Sequence, residues 1–198
     1  MSAQPKRRYT LDEYLELDRN SDERLEFWNG EIFSMSGAND PHDRIEVNLT
    51  TFLNLRLSDK GCRVLSANMR IKVPSFPPYR YGDLSALCGE ARFEKIGGVD
   101  ALTNPSLIIE ILSDSTEAFD RGDKFTHYKS IPTFREYLLI SRKRPHITQL
   151  VKKDDGLWIH HEFNNLDDVV KLETVGCEIT LREVYFYVVF DPQINNIP

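Results

Sequence analysis

An α/β (α+β) fold, with a central sheet of mixed strand direction flanked by helices and an additional β-hairpin, is what this sequence predicts. Three observations carry that expectation. Residues 107–112, Leu-Ile-Ile-Glu-Ile-Leu, form the short, Leu/Ile-rich run expected of a central strand buried on both faces. Ile45, Leu49, Phe52, Leu53 and Leu57 recur at the spacing of one helix face. The order of elements (helix, hairpin, helix, then strands) is neither all-helical nor all-strand.

Each element has a local cause. Thr10 and Glu13 form a capping box ahead of a first helix over 10–17. Asn29-Gly30, between Leu25-Glu26-Phe27-Trp28 and Glu31-Ile32-Phe33, is a strong hairpin signal and places two strands within 23–36. Asp40 as cap and Pro41 at the first helical position open the second helix, and Gly61 ends it. Residues 62–73 follow as two extended pieces, in which Met69, Ile71 and Val73 alternate with polar residues. The prolines of 74–78 mark a loop. Strands are expected at 83–88 and 107–112, joined by a polar loop holding Gly97-Gly98. Thr116 or Asp114 caps a third helix that runs to about Ser130 and stops before Pro132. A strand over 135–140, a hairpin around Asp154-Asp155-Gly156, a short strand near 169–172 and a last segment over 181–187 complete the chain.

The 198 residues suit one core, so a single domain over 9–190 is expected, with tails at 1–8 and 191–198. Hydrophobic residues at 40% and charged residues at 28% describe an ordinary globular chain. No stretch approaches the about 18 apolar residues of a membrane span, and the basic N-terminus lacks the apolar core of a secretory signal. Cys62, Cys88 and Cys177 are odd in number and widely spread; neither a disulfide framework nor a zinc site is expected, and a cytoplasmic home follows. A net charge of −6 argues against tight, sequence-independent grip on nucleic acid. A nuclease remains compatible with it, because metal-binding carboxylates add negative charge of their own.

Glu110 is the residue that most needs explaining. A carboxylate inside a doubly buried strand is costly unless it is paired or holds a cation. Asp83 begins a neighbouring strand, and two carboxylates brought together repel unless a divalent cation joins them. Hard oxygen ligands favour Mg2+ or Mn2+, and the carbonyl of Ile111 is a further candidate ligand. Leu112, on the Glu110 face two residues on, carries no charge. Lys124 can supply it. The strand runs roughly 10 Å beyond Glu110 and the helix returns roughly 10 Å by Lys124, which brings the two to one level if they pack antiparallel.

Gly82-Asp83, the run from Asn104 to Glu117 and the run from Asp120 to Tyr128 together resemble the bacterial Uma-two family, restriction-endonuclease-like proteins of the wider PD-(D/E)XK nuclease fold. Leu25-Glu26-Phe27-Trp28-Asn29-Gly30-Glu31-Ile32 resembles that family's Glu-Leu-x-x-Gly-Glu segment, and the likeness continues through Pro132-Thr133-Phe134-Arg135-Glu136-Tyr137-Leu138-Leu139. The resemblance implies that Asp83 and Glu110 are metal ligands. It implies that Lys124 replaces the lysine usual at the place of Leu112, and that Glu26 is a further acidic position of the site. Gly82 departs from the pattern, standing where a proline is usual. The implied mechanism is metal-assisted hydrolysis of a phosphodiester; the expectation for this chain is a homodimeric Mg2+- or Mn2+-dependent endonuclease acting on DNA.

Plainer readings stand beside these. Glu110 can form a structural ion pair with Lys124 or Arg121. Glu26 can pair across its hairpin. His42 fits a surface or capping role, and Tyr128, four residues after Lys124, fits packing or orienting support. Lys6-Arg7-Arg8 and Arg142-Lys143-Arg144 are candidate phosphate contacts, though short charge runs are commonly solvated surface. His160-His161 point two ways and make a poor metal pair. Phe186 to Phe190 suits core or a dimer seam. The alternative function is a catalytically inactive nucleic-acid-binding or protein-interaction module of a mobile-element or defence system.

Overall fold

A six-stranded mixed sheet carries the site, in a computed structural model that describes residues 7–34, 40–74 and 78–190. Its strands run in the order β12-β11-β10-β9-β6-β3: β12 Trp158–Phe163, β11 Ile147–Lys152, β10 Glu136–Ser141, β9 Leu107–Leu112, β6 Leu84–Cys88 and β3 Cys62–Ser66. The β9–β10 pair is parallel and the other pairs are antiparallel. Every residue of β9 is buried, as its composition demands.

Strand alternation divides β9 between two cores. Leu107, Ile109 and Ile111 join Leu138 and Ile140 of β10 against Ile45, Leu49, Leu53 and Leu57 of helix α2, Asp40–Leu57. Ile108 and Leu112 join Tyr137 and Leu139 against Tyr128, Ile131 and Phe134 on the opposite face. That second face is covered by a helical segment in three pieces: α3 Glu117–Phe119, a π-helical turn Asp120–Lys124 and α4 Phe125–Tyr128.

Helix α1, Leu11–Asn20, keeps its capping box: Thr10 Oγ1 accepts from the Glu13 N–H, and the Glu13 carboxylate accepts from the Thr10 N–H. The first hairpin, β1 Leu25–Trp28 and β2 Glu31–Ser34, turns through Asn29 at φ 48° and Gly30 at φ 78°, a two-residue turn with both φ positive. Tyr14, Phe27, Tyr79 and Tyr81 tie α1 and this hairpin into a third cluster.

Four expectations are corrected. The loop around Gly97-Gly98 is a hairpin, β7 Phe93–Ile96 and β8 Val99–Leu102. With β4 Arg70–Lys72 and β5 Tyr79–Tyr81 it forms a four-stranded sheet in the order β5-β4-β8-β7. The short strand β13 Val169–Leu172 pairs with β14 Cys177–Thr180, and the last expected segment reduces to α5 Leu181–Val184. Cys62 and Cys88 stand directly opposite each other across β3 and β6 and form a disulfide; buried Cys177 is free. The missing cause in each case is tertiary pairing, which sets registers that spacing along the chain does not reveal. Lys6, Ser36, residues 75–77 of the proline loop and the 191–198 tail lie outside the described residues. No helix among the described residues is long and apolar enough to cross a membrane.

Candidate metal-dependent active site

Glu110 sits between Ile108 and Leu112 on the face of β9 that meets the helical segment, with 2% of its surface exposed. Its two oxygens are held separately. Lys124 Nζ lies 3.1 Å from Oε2, and Tyr128 donates its hydroxyl to Oε1 at 3.0 Å. The expected antiparallel return of the helix therefore brings Lys124 to the level of Glu110. The same ammonium lies 3.3 Å from Asp120 Oδ1 and 3.9 Å from Glu26 Oε1. Asp120 and Lys124 bound the π-helical turn, a feature that recurs at functional sites. Gly122, at its centre, is a weak helix former. Glu26 reaches the cluster from β1 and accepts the Tyr81 N–H at 3.1 Å.

One buried ammonium thus faces three buried carboxylates. Burial raises the Glu110 pKa well above the usual carboxylate range; Lys124 opposes the rise, and the charges of Asp120, Asp83 and Glu26 add to it. Burial likewise raises Asp120. For Lys124 burial works against the charge, but Glu110, Glu26 and Asp120 outweigh it and raise the pKa well above normal. Lys124 stays an ammonium.

Asp83 immediately precedes β6. Its Oδ2 accepts the N–H of Ile111, the residue next to Glu110, at 2.6 Å. Its Oδ1 lies 3.3 Å from His42 Nε2 on α2. Glu46, one helical turn after His42, completes a group whose ligand atoms all lie within 4.8 Å of one another. Burial raises the Glu46 pKa, and the charge of Asp83 adds to the rise. Burial opposes the His42 imidazolium, but Asp83 and Glu46 outweigh it and raise its pKa.

The candidate residues therefore fall into two linked groups. Glu110, Lys124 and Glu26 come together; Asp83 joins His42 and Glu46, linked to the first group through the Ile111 N–H and through its charge on Glu110. Sequence reasoning gave no site role to Asp120 or Glu46, and gave His42 and Tyr128 minor ones. The i,i+4 pairs His42/Glu46, Asp120/Lys124 and Lys124/Tyr128 were the available signal. Arg121 pairs with Glu117 rather than with Glu110. Arg142 and Lys143 pair with Asp114, Arg144 with Asn164, and Arg7 with Glu13.

Comparison with known proteins identifies the family. The profile of the Uma2 (Uma-two) family, described as "Putative restriction endonuclease", matches residues 11–182. This chain belongs to the Uma2 family. Two uncharacterized proteins of Synechocystis sp. are similar: one is 31% identical over 174 residues, covering 88% of this chain and 90% of the relative. The other is 35% identical over 150 residues, covering 76% and 84%. The crystal structure of "a putative nuclease" from Anabaena variabilis superposes with a TM-score of 0.69 at 17% identity, over 91% of this chain and 99% of that one, and so shares the fold.

The donor chemistry of this Uma2 protein fits a divalent cation: hard carboxylate oxygens, an imidazole nitrogen, and excess negative charge in a half-buried place. Gly82, the departure noted above, has a steric reason. A Cβ there would stand 3.0 Å from Ile108 Cγ2 and 3.5 Å from Glu110 Oε1. Ile108 is fully buried and cannot easily give way. Gly82→Ala is expected to destabilise the protein by about 1–3 kcal/mol in urea titration, with the wild-type m value retained.

Arg80, fully buried, donates its Nε–H to His127 Nδ1 at 3.1 Å, which requires an unprotonated Nδ1. Burial and the Arg80 charge lower the His127 pKa from 6.5. The unfolded chain then binds the extra proton at higher pH than the native one does. Stability supplied by neutral His127 is present above pH 6.5 and lost as pH falls through the lower native value. Between about pH 7.5 and about pH 5, the wild type is expected to lose more stability than His127→Gln. The sign of that difference follows from the lowered native pKa, and partial exposure of the imidazole keeps it modest. Denaturant titrations at the two pH values measure it.

Proposed function

We propose that this Uma2 protein is a metal-dependent endodeoxyribonuclease that hydrolyses DNA phosphodiesters. The observation supporting this most directly is the buried pair Glu110–Lys124, separated by 3.1 Å, beside an Asp83 whose carboxylate is fixed by the N–H of Ile111. Asp83, Glu110 and the Ile111 carbonyl would hold Mg2+ or Mn2+, which when bound supplies Lewis acidity toward a phosphate oxygen and a more acidic water. Lys124 places a permanent positive charge where negative charge gathers on the phosphorane oxygens. Tyr128 fixes the Glu110 carboxylate, and Glu26 and Asp120 hold the ammonium in position. The test is incubation with supercoiled and single-stranded DNA in Mg2+ or Mn2+. The expected result is cleavage that stops completely on adding EDTA. Cleavage that persists in EDTA, or none on either DNA form with either ion, overturns the reading.

A second reading has one observation of its own. Glu110 and Lys124 are each only 2% exposed, as a purely structural ion pair would be. In a binding module that has lost catalysis, calorimetry would find no carboxylate-dependent Mn2+ uptake.

A further inference from the structure

We propose that His42 and Glu46 of α2 are direct metal ligands alongside Asp83, and that their imidazole makes the resident ion a first-row transition metal rather than Mg2+. The inference rests on the metal-dependent reading above and specifies its cofactor. His42 Nε2 is 3.3 Å from Asp83 Oδ1, close to the about 3 Å between adjacent ligands of one ion with bonds of about 2.1 Å. His42 and Glu46 are four residues apart and share a helix face, so α2 presents both to one point. The three donor atoms lie within 4.8 Å of one another. Asp83 is oriented independently, because its second oxygen is taken by the Ile111 N–H.

Glu46 supplies the second observation. It is half-buried beside Asp83, and the charges of His42 and Arg24, which favour its ionised form, do not offset burial and the Asp83 charge. A carboxylate in that position is compensated when a cation lies between it and Asp83. Glu110, by contrast, already has close hydrogen-bond partners in Lys124 and Tyr128. A sphere of oxygens alone suits Mg2+, whereas an imidazole nitrogen shifts preference toward Mn2+, Fe2+, Co2+ or Zn2+.

The full-length chain is loaded with Mn2+ and studied by pulsed EPR and calorimetry. The expected signal is nitrogen-14 modulation from a directly bound imidazole, abolished by His42→Gln, with at least about tenfold weaker Mn2+ binding in both His42→Gln and Glu46→Gln. Calorimetry should also show Mn2+ bound at least tenfold more tightly than Mg2+ by the wild type, with His42→Gln narrowing that gap. Bound Mn2+ without nitrogen modulation, or with modulation that survives His42→Gln, overturns this inference and leaves the nuclease reading intact. If His42→Gln fails to fold, the wild-type nitrogen signal and the Glu46→Gln affinity decide: no signal, or unchanged affinity, overturns it. Failure of the wild type to bind Mn2+, or binding untouched by Asp83→Asn, overturns the metal-dependent reading itself.

Discussion

Lys124→Met is expected to destabilise the protein by about 3–5 kcal/mol at pH 7, the range for removing one partner from a buried ion pair. The size follows from what remains. Methionine fills much the same volume, so no large cavity forms, but Glu110, Asp120 and Glu26 are left buried without the ammonium that lies 3.1, 3.3 and 3.9 Å from them. Urea denaturation measures the loss. The double variant Lys124→Met/Glu110→Gln distinguishes charge imbalance from lost packing. If imbalance dominates, the second change restores part of the stability, and the two effects are coupled by about 0.5–3 kcal/mol. If packing dominates, the two costs add.

Lys124 also shows how far the site could be read from sequence. Glu110 announces itself, because no other residue of its strand is polar. The position of its partner follows from strand rise, helix rise and an antiparallel return, which are nearly the same in all proteins. The Asn29-Gly30 hairpin was legible for the same reason: its turn chemistry is local. Gly97-Gly98 offered a similar signal, but Glu94, Lys95 and Asp100 beside it read as a polar loop until β8 pairs with β4. Cys62 and Cys88 meet only through the β3–β6 register, which spacing does not encode. His42 reads as a cap until Asp83, just ahead of β6, is brought beside it. Local rules reach the elements and the carboxylate–lysine pair, whereas the α2 side of the site exists only after assembly.

Asp83→Asn and Glu110→Gln are each expected to reduce metal-dependent DNA cleavage by at least about a hundredfold, beyond the about 10- to 100-fold typical of disturbing a group that merely supports a metal ligand. Their effects on stability should differ in sign from that loss, or be small. In Asp83→Asn the amide oxygen still accepts the Ile111 N–H, so the strand end stays in place. In Glu110→Gln the amide oxygen can accept from Lys124 while the NH2 donates to the Tyr128 hydroxyl oxygen, and removing the charge leaves Asp120 and Glu26 to share Lys124 with one competitor fewer. Glu110→Gln should therefore fold as well as the wild type or better, because burial already raises the Glu110 pKa and so disfavours its charged form. Activity lost while stability is kept or gained is the mark of a charge retained for chemistry at a cost to the fold. Parallel loss of both would make the pair structural. A plasmid-nicking assay beside urea titration of the same two preparations distinguishes these outcomes, because a carboxylate that only braces the sheet cannot be neutralised without weakening it.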